Sequence, residues 1–152
     1  MQDVIKLRGC LEIALRNANG EVTDYRKIDN TIVTVGRRWV LQQIASSDIN
    51  TAQSIGFMAV GTGTAAPATG DTALGSESSR LAINSFTTSN LTSNPPSWRA
   101  EASWATNLAN TTLGEVGLFV ASAAGTMLGR ATFSTINKTT SNTLSISYTV
   151  SN

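Results

Sequence analysis

The chain has 152 residues, of which only 14% are charged, and its formal net charge at pH 7 is +1. This length predicts one domain, residues 1–152, with a core that needs neither disulfide nor metal, and the strand patterns described below predict that the domain is β-rich. A nearly neutral chain lacks the basic surface that binds nucleic acid, so no specific nucleic-acid partner is expected. The sequence contains no histidine and one cysteine, which excludes an internal disulfide and removes the commonest general base. We therefore expect a non-enzyme without catalytic residues, cofactor or metal.

The N-terminal residues predict synthesis in the cytoplasm. Met1-Gln2-Asp3 is followed by an alternating pattern and not by a continuous apolar run, so no signal peptide is expected. No segment approaches the ~20 apolar residues of a membrane span, and no membrane partner is predicted. Cys10 shares a predicted strand face with charged residues and is interpreted as a small residue tolerated there; a reactive or intermolecular thiol is the alternative.

Alternating apolar and charged residues predict a long first strand. Its apolar positions are the odd-numbered Ile5, Leu7, Leu11, Ile13 and Leu15. Gly9 is a predicted site of bending or bulging. Asn19-Gly20 is a pair favoured in tight hairpin turns, so residues 21–29 should return antiparallel beside the first strand; a ligand loop at this pair is the alternative.

From Thr34 the apolar spacing becomes that of a helix. Thr34 is the predicted cap, and the helix should end near the polar cluster that begins at Ala45. The predicted buried stripe consists of Arg37, Val40, Leu41 and Ile44, widened by Val35 and Trp39. We expect this helix to lie across an open sheet face. Arg37-Arg38 is either a basic contact for another chain or nucleic acid, or a solvated helix face.

A short apolar strand and a loop of small residues follow the helix. Residues 55–61 predict a strand buried on both faces. The Gly61-Thr62-Gly63-Thr64 segment then opens a long loop that contains Pro67. This loop lacks the third glycine of a dinucleotide fingerprint and the lysine of a P-loop, so phosphate binding is not expected. We expect its glycines to allow a tight exit from the strand. We also expect the loop to be ordered by neighbouring chains or to adapt to them.

Residues 79–88 predict a further strand, and a polar loop after it ends in Pro95-Pro96. Residues 98–104 then alternate, with Trp98 and Trp104 on one face. Two tryptophans on one strand face are interpreted as core residues, and an assembly surface or a sugar-binding platform is the alternative.

The C-terminal part, residues 113–150, predicts consecutive antiparallel strands with short polar connections. The last of these alternates apolar residues from Leu144 to Val150 with serine and threonine, as expected for a strand with one buried face. Glu101 and Glu115 lie on separate predicted strands. For each we expect a surface ion pair with Arg99 or Arg130 and not a carboxylate dyad.

These elements predict a mainly β fold. The expected architecture is an antiparallel β-sandwich or a partly open barrel with one α-helix packed against a sheet.

Four segments resemble small virion structural proteins of tailed bacteriophages and prophages, in the same order along the chain. The segments are residues 29–41 (DNTIVTVGRRWVL), 58–74 (MAVGTGTAAPATGDTAL), 113–119 (LGEVGLF) and 130–141 (RATFSTINKTTS). The resemblance implies a virion location and, since the chain ends without a repetitive shaft, a capsid decoration (cement) protein. A tail, tail-fibre or adaptor subunit is the alternative, and a carbohydrate-binding β-sandwich is the competing class.

The resemblance implies partners that are other virion proteins, such as the major capsid protein or tail subunits, together with self-association in the particle. Loops and exposed strand edges would supply the contacts. The candidate contact residues are Arg37, Arg38, Thr62, Thr64, Pro67, Pro95 and Pro96.

Overall fold

The computed structural model describes residues 6–45, 53–88, 92 and 95–152. Within these ranges the chain forms two five-stranded antiparallel sheets and one helix. The elements are β1 (Arg8–Arg16), β2 (Val22–Asp29), β3 (Thr31–Ile32), α1 (Thr34–Ala45), β4 (Phe57–Gly61), β5 (Glu77–Ala82), β6 (Ser85–Thr87), β7 (Ser97–Trp104), β8 (Thr112–Phe119), β9 (Met127–Asn137) and β10 (Thr143–Ser151).

The first sheet has the strand order β2-β1-β10-β7-β6. The hairpin between β1 and β2 turns at Gly20, whose φ of 82° lies in the region that glycine adopts readily. The predicted Asn19-Gly20 turn and the antiparallel return of residues 21–29 are therefore confirmed. The predicted bulge at Gly9 is wrong, because β1 pairs with β10 without a register shift from Arg8 to Arg16. Gly9 is instead needed for space, since a Cβ there would meet the Asn30 side chain.

The second sheet has the order β3-β9-β8-β4-β5. Its strand β4 is buried on both faces, as predicted, with Met58, Ala59 and Val60 fully buried. The two sheets enclose the main core, which includes Leu11, Ile13, Met58, Val116, Leu118, Ile146 and Tyr148. A second, smaller cluster of Val33, Ala59, Leu74, Phe119 and Met127 covers the outer face of the second sheet. The predicted β-sandwich with one packed helix is confirmed.

Two strand assignments differ from the sequence interpretation. Residues 79–88 do not form one strand, because β5 belongs to the second sheet and β6 to the first. Strands β9 and β10 are likewise consecutive in sequence but lie in different sheets. The chain therefore passes from one sheet to the other at each of these connections. Strands that are consecutive in sequence then bury their apolar faces against the same core from opposite sides.

The helix packs against β9 through a side that matches the predicted one only in part. Gly36 lies on the backbone of Leu128, where an added Cβ would come within 2.2 Å of the carbonyl oxygen. Trp39 and Val40 contact the main core, as predicted. Leu41 is 63% exposed and Arg37 is exposed, so these two stripe assignments are wrong. The close backbone approach at Gly36 fixes the rotation of the helix and turns Leu41 outward.

Candidate functional site

An exposed loop, residues 62–76, folds over the outer face of the second sheet. Most of its residues are exposed small side chains, whereas Leu74 is buried in the smaller apolar cluster. The two ends of its backbone are joined to each other, because the Thr62 N–H donates to the Ser76 carbonyl at 2.8 Å. The middle of the loop is held by the Thr34 N–H, which donates to the Thr69 carbonyl at 2.7 Å. The loop is thus closed on itself and attached to the start of the helix.

A buried carboxylate lies beneath this loop. Glu115 of β8 is fully buried, on the strand face opposite Val116 and Leu118. Its Oε1 accepts hydrogen bonds from the backbone N–H groups of Gly63 at 3.0 Å and Ser76 at 2.7 Å. Its Oε2 accepts from Gly75 N–H at 2.9 Å. One carboxylate therefore accepts the hydrogen bonds of three backbone N–H groups at the two ends of the loop, which would otherwise need backbone carbonyls as acceptors.

Arg130 of β9 connects the same carboxylate to the middle of the loop. Its Nε donates to Glu115 Oε2 at 2.8 Å, and its Nη1 donates to Asp71 Oδ2 at 2.8 Å. Its Nη2 reaches the Ala65 carbonyl at 3.2 Å. Asp71 also accepts from Ala68 N–H at 2.9 Å. We call Glu115, Arg130 and Asp71 the anchor triad, since together they bind five positions of the loop backbone besides each other.

The electrostatics of the anchor triad favour the charged forms. Burial raises the pKa of Glu115, but the hydrogen bonds from Ser76, Gly75, Arg130 and Gly63 outweigh it and hold the pKa below its ordinary value. The pKa of Asp71 is lowered by the Ala68 N–H and by Arg130. Both carboxylates are ionised at neutral pH and compensate the buried guanidinium.

Glycine is required at two positions beside the anchor triad, because other atoms approach the backbone there too closely for a side chain. A Cβ on Gly63 would come within 2.4 Å of Glu115 Oε1, and one on Gly61 would come within 2.3 Å of the Ser76 carbonyl. Gly70, at the tip of the same loop, has open space around it. The two glycines of the Gly61-Thr62-Gly63 segment therefore leave room for the Glu115 carboxylate of the same chain.

The predicted contact residues Thr62, Thr64 and Pro67 lie together on this loop, with both threonines exposed and Pro67 half-buried. The prediction of a tight strand exit is confirmed, because β4 ends at Gly61. The anchor triad holds the loop from within the chain. The expectation that the loop is ordered by, or adapts to, neighbouring chains stays a prediction.

The other predicted contacts lie outside the loop. Arg37 and Arg38 are exposed on the first turns of the helix, next to the attachment of Thr34, and neither guanidinium has a carboxylate partner among the described residues. Pro95 and Pro96 are exposed at the approach to β7, where the Pro96 carbonyl accepts from Asn152 N–H at 3.3 Å. The helix that carries both arginines is therefore attached to the loop through Thr34, whereas the two prolines lie with the first sheet.

The two tryptophans of β7 have different surroundings. Trp104 is fully buried and its indole donates to Ser79 Oγ at 3.0 Å, so its assignment to the core is confirmed. Trp98 is half-buried and packs against Phe86, with the ring centroids 6.0 Å apart. It borders an apolar groove of about 560 Å³ whose lining includes Trp39 and Leu128. A sugar platform at Trp104 is excluded by its burial.

Sequence reasoning paired Glu101 and Glu115 with arginines, and both pairs form. Glu101 lies 2.9 Å from Arg99 in a partly exposed pair, as predicted. The Glu115–Arg130 pair is buried, and its description as a surface pair is wrong. The signal for a buried role was a lone carboxylate within the apolar run from Leu113 to Phe119, in a part of the chain with few charges.

Three acidic or cysteine side chains close enough to hold a metal ion do not occur in the part of the chain that the structure describes. The same part includes no helix with the length and apolarity to cross a membrane. In comparisons with known proteins, no family model matches the chain, and neither a curated protein nor a solved structure matches it.

Proposed function

We propose that the chain is a structural protein of a bacteriophage virion and that it decorates the capsid by binding neighbouring capsid subunits. The observation that carries this proposal is the convergence of three virion-like segments on one feature. Residues 58–74 provide the loop, residues 113–119 provide Glu115, and residues 130–141 provide Arg130. The segments that carry the resemblance therefore contact one another in the fold, and the exposed part of this unit is the loop.

A preordered loop suits a binding role. Binding orders flexible segments at a cost in free energy, and a loop already fixed in the free protein avoids most of that cost. The loop exposes small side chains, which allow close approach of a partner surface, and its exposed members include Thr62 and Thr64. Arg37 and Arg38, exposed beside the loop, would supply charge-assisted contacts at the rim.

The test is binding to shells assembled from the capsid protein of the phage or prophage that encodes this chain. Purified protein should bind such shells at a stoichiometry set by the lattice. Thr62→Arg introduces bulk and charge at an exposed position of the proposed contact and should abolish binding without unfolding the domain. Thr140→Arg, at an exposed threonine on the β9–β10 loop, is the matched control and should bind as the parent chain does.

Copy number in purified virions separates this proposal from its alternative. Quantitative mass spectrometry should find hundreds of copies for a decoration protein. A few to a dozen copies would favour a tail, fibre or adaptor subunit, and absence from the virion would overturn the virion role. Equal shell binding by Thr62→Arg and Thr140→Arg would contradict the assignment of the loop as the contact.

A further inference from the structure

The outer face of the first sheet, opposite the core, contains a polar trough. Strand register places Tyr25, Ala14, Ser145 and Ser103 in one row across β2, β1, β10 and β7. Three of these side chains are small and form the floor, whereas Tyr25 forms one end. The trough has a volume of about 450 Å³. This volume lies in the range of small-ligand sites, roughly 300–1,000 Å³.

Charged residues form the two long walls. The next row across the sheet contains Lys27, Glu12, Ser147 and Glu101, and Arg16 lies on the other side. Lys27 does not line the trough, and its Nζ lies 3.7 Å from Glu12 Oε1. Arg99 links the first wall together, with its Nη1 3.4 Å from Glu12 Oε2 and its Nε 2.9 Å from Glu101 Oε1. The wall is therefore a continuous set of hydrogen-bonding groups above a flat, small-residue floor.

The aromatic end is held in place and open to a ligand. The Tyr25 hydroxyl donates to Glu12 Oε1 at 3.0 Å, which fixes the orientation of the ring. Tyr25 is nevertheless 55% exposed. An exposed aromatic side chain fixed by a hydrogen bond provides an apolar stacking surface beside a polar wall.

The charges of the trough cancel. Its lining contains two carboxylates, from Glu12 and Glu101, and two guanidinium groups, from Arg16 and Arg99. A polyanion such as nucleic acid would gain little from this balanced set. A ligand with many neutral hydroxyl groups fits it better, because each hydroxyl donates to a carboxylate or serine and accepts from a guanidinium.

We propose that this trough binds a neutral carbohydrate, with one sugar ring stacked on Tyr25 and its hydroxyl groups bonded to Glu12, Arg99 and Glu101. A linear chain would extend along the row of small residues, over Ser145 and across the strands. The apolar groove beside Trp98 is less suited to sugars, since the polar side chains that line it among the described residues are Gln43, Ser54 and Thr88. This site is independent of the proposed binding to capsid subunits.

The experiment uses the full chain on an array of short neutral oligosaccharides of glucose, mannose and galactose, with hyaluronan fragments as the acidic comparison. The best neutral oligosaccharide is then titrated by calorimetry. Tyr25→Ala should weaken its binding about tenfold or more. Tyr25→Phe keeps the stacking ring but loses the hydrogen bond to Glu12, so it should weaken binding by less than Tyr25→Ala does. Phe86→Ala, at an exposed ring beside the apolar groove, is the control and should bind as the parent chain does.

Each contrary result overturns the proposal. Absence of binding to every neutral oligosaccharide, or equal binding by the parent chain and Tyr25→Ala, would remove the trough as a sugar site. Preferential binding of hyaluronan fragments would contradict the neutral ligand class. Loss of binding in Phe86→Ala with retention in Tyr25→Ala would place the sugar in the groove instead. Circular dichroism of each variant confirms that the fold is retained, as expected for side chains at the surface.

Discussion

Replacement of Glu115 by glutamine tests the anchor triad directly. The change keeps the shape of the side chain but removes its charge, so Arg130 remains buried with only Asp71 as an ionised partner. The amide also presents a donor to backbone N–H groups that need an acceptor, and one of the bonds from Gly63, Gly75 or Ser76 must be lost. Breaking a buried ion pair from one side typically costs about 3–5 kcal/mol.

The expected result is therefore a loss of about 3–5 kcal/mol in the free energy of unfolding at pH 7. Urea denaturation followed by tryptophan fluorescence measures this loss. Glu101→Gln removes one carboxylate from the partly exposed pair with Arg99, so it is the control and should cost no more than about 1 kcal/mol. Hydrogen exchange should show that the amides of Gly75 and Ser76 lose protection in Glu115→Gln alone.

The pH dependence provides a second measurement on the same variant. Burial raises the pKa of Glu115, yet the hydrogen bonds to its carboxylate lower the pKa further, so the folded value lies below the unfolded value of about 4.3. Its contribution to stability is present above the unfolded pKa and is lost as the pH falls through the folded pKa. The parent chain should lose more stability than Glu115→Gln between neutral and acid pH. A loss below about 1 kcal/mol at pH 7, or identical acid profiles, would refute this account of the triad.

Three further predictions address the loop, the core and the helix. Gly63→Ala should lower the urea midpoint clearly, because its Cβ would meet Glu115, whereas Gly70→Ala in the same loop should leave the midpoint unchanged or slightly raised. Trp104→Ala should cost about 3–5 kcal/mol in the free energy of unfolding, and a smaller loss would contradict its full burial. Leu41→Ala should change this free energy by no more than about 0.5 kcal/mol, while Val40→Ala should cost more; a loss in Leu41→Ala as large as that in Val40→Ala would restore the helix orientation predicted from sequence.

Local patterns predicted the strands and the hairpin because those features depend on neighbouring residues. Alternation assigned Leu11 and Ile13 to the buried face, and Asn19-Gly20 located the turn. Alternation does not specify which strand pairs with which, and the crossing of β9 and β10 into different sheets was therefore missed.

The same limit applies to burial at the two tryptophans. Trp98 and Trp104 share a strand face, but Trp104 lies among core residues and Trp98 lies at the open groove. Periodicity gives the face of a strand, and the depth along that face depends on what other elements cover it.

The anchor triad was missed because its members are distant in sequence. Asp71, Glu115 and Arg130 lie on a loop and two strands, and their proximity depends on the loop folding back over the second sheet. A charged residue on the outer face of an antiparallel sheet is ordinarily solvated, which made a surface pair the reasonable expectation for Glu115. Glu115 is buried because residues 62–76 cover it.

The positions of the two proposed sites have a consequence for how they would act together. The loop covers the outer face of the second sheet, whereas the trough lies on the outer face of the first sheet, with the core between them. A chain bound to a capsid shell through the loop would therefore direct Tyr25 away from the shell. A matrix of immobilised neutral oligosaccharide should retain shells coated with the parent chain, whereas uncoated shells should pass through it. If the free protein binds the matrix but coated shells do not, the shell and the sugar compete for one surface. That result would refute the assignment of the two sites to opposite faces of the sandwich.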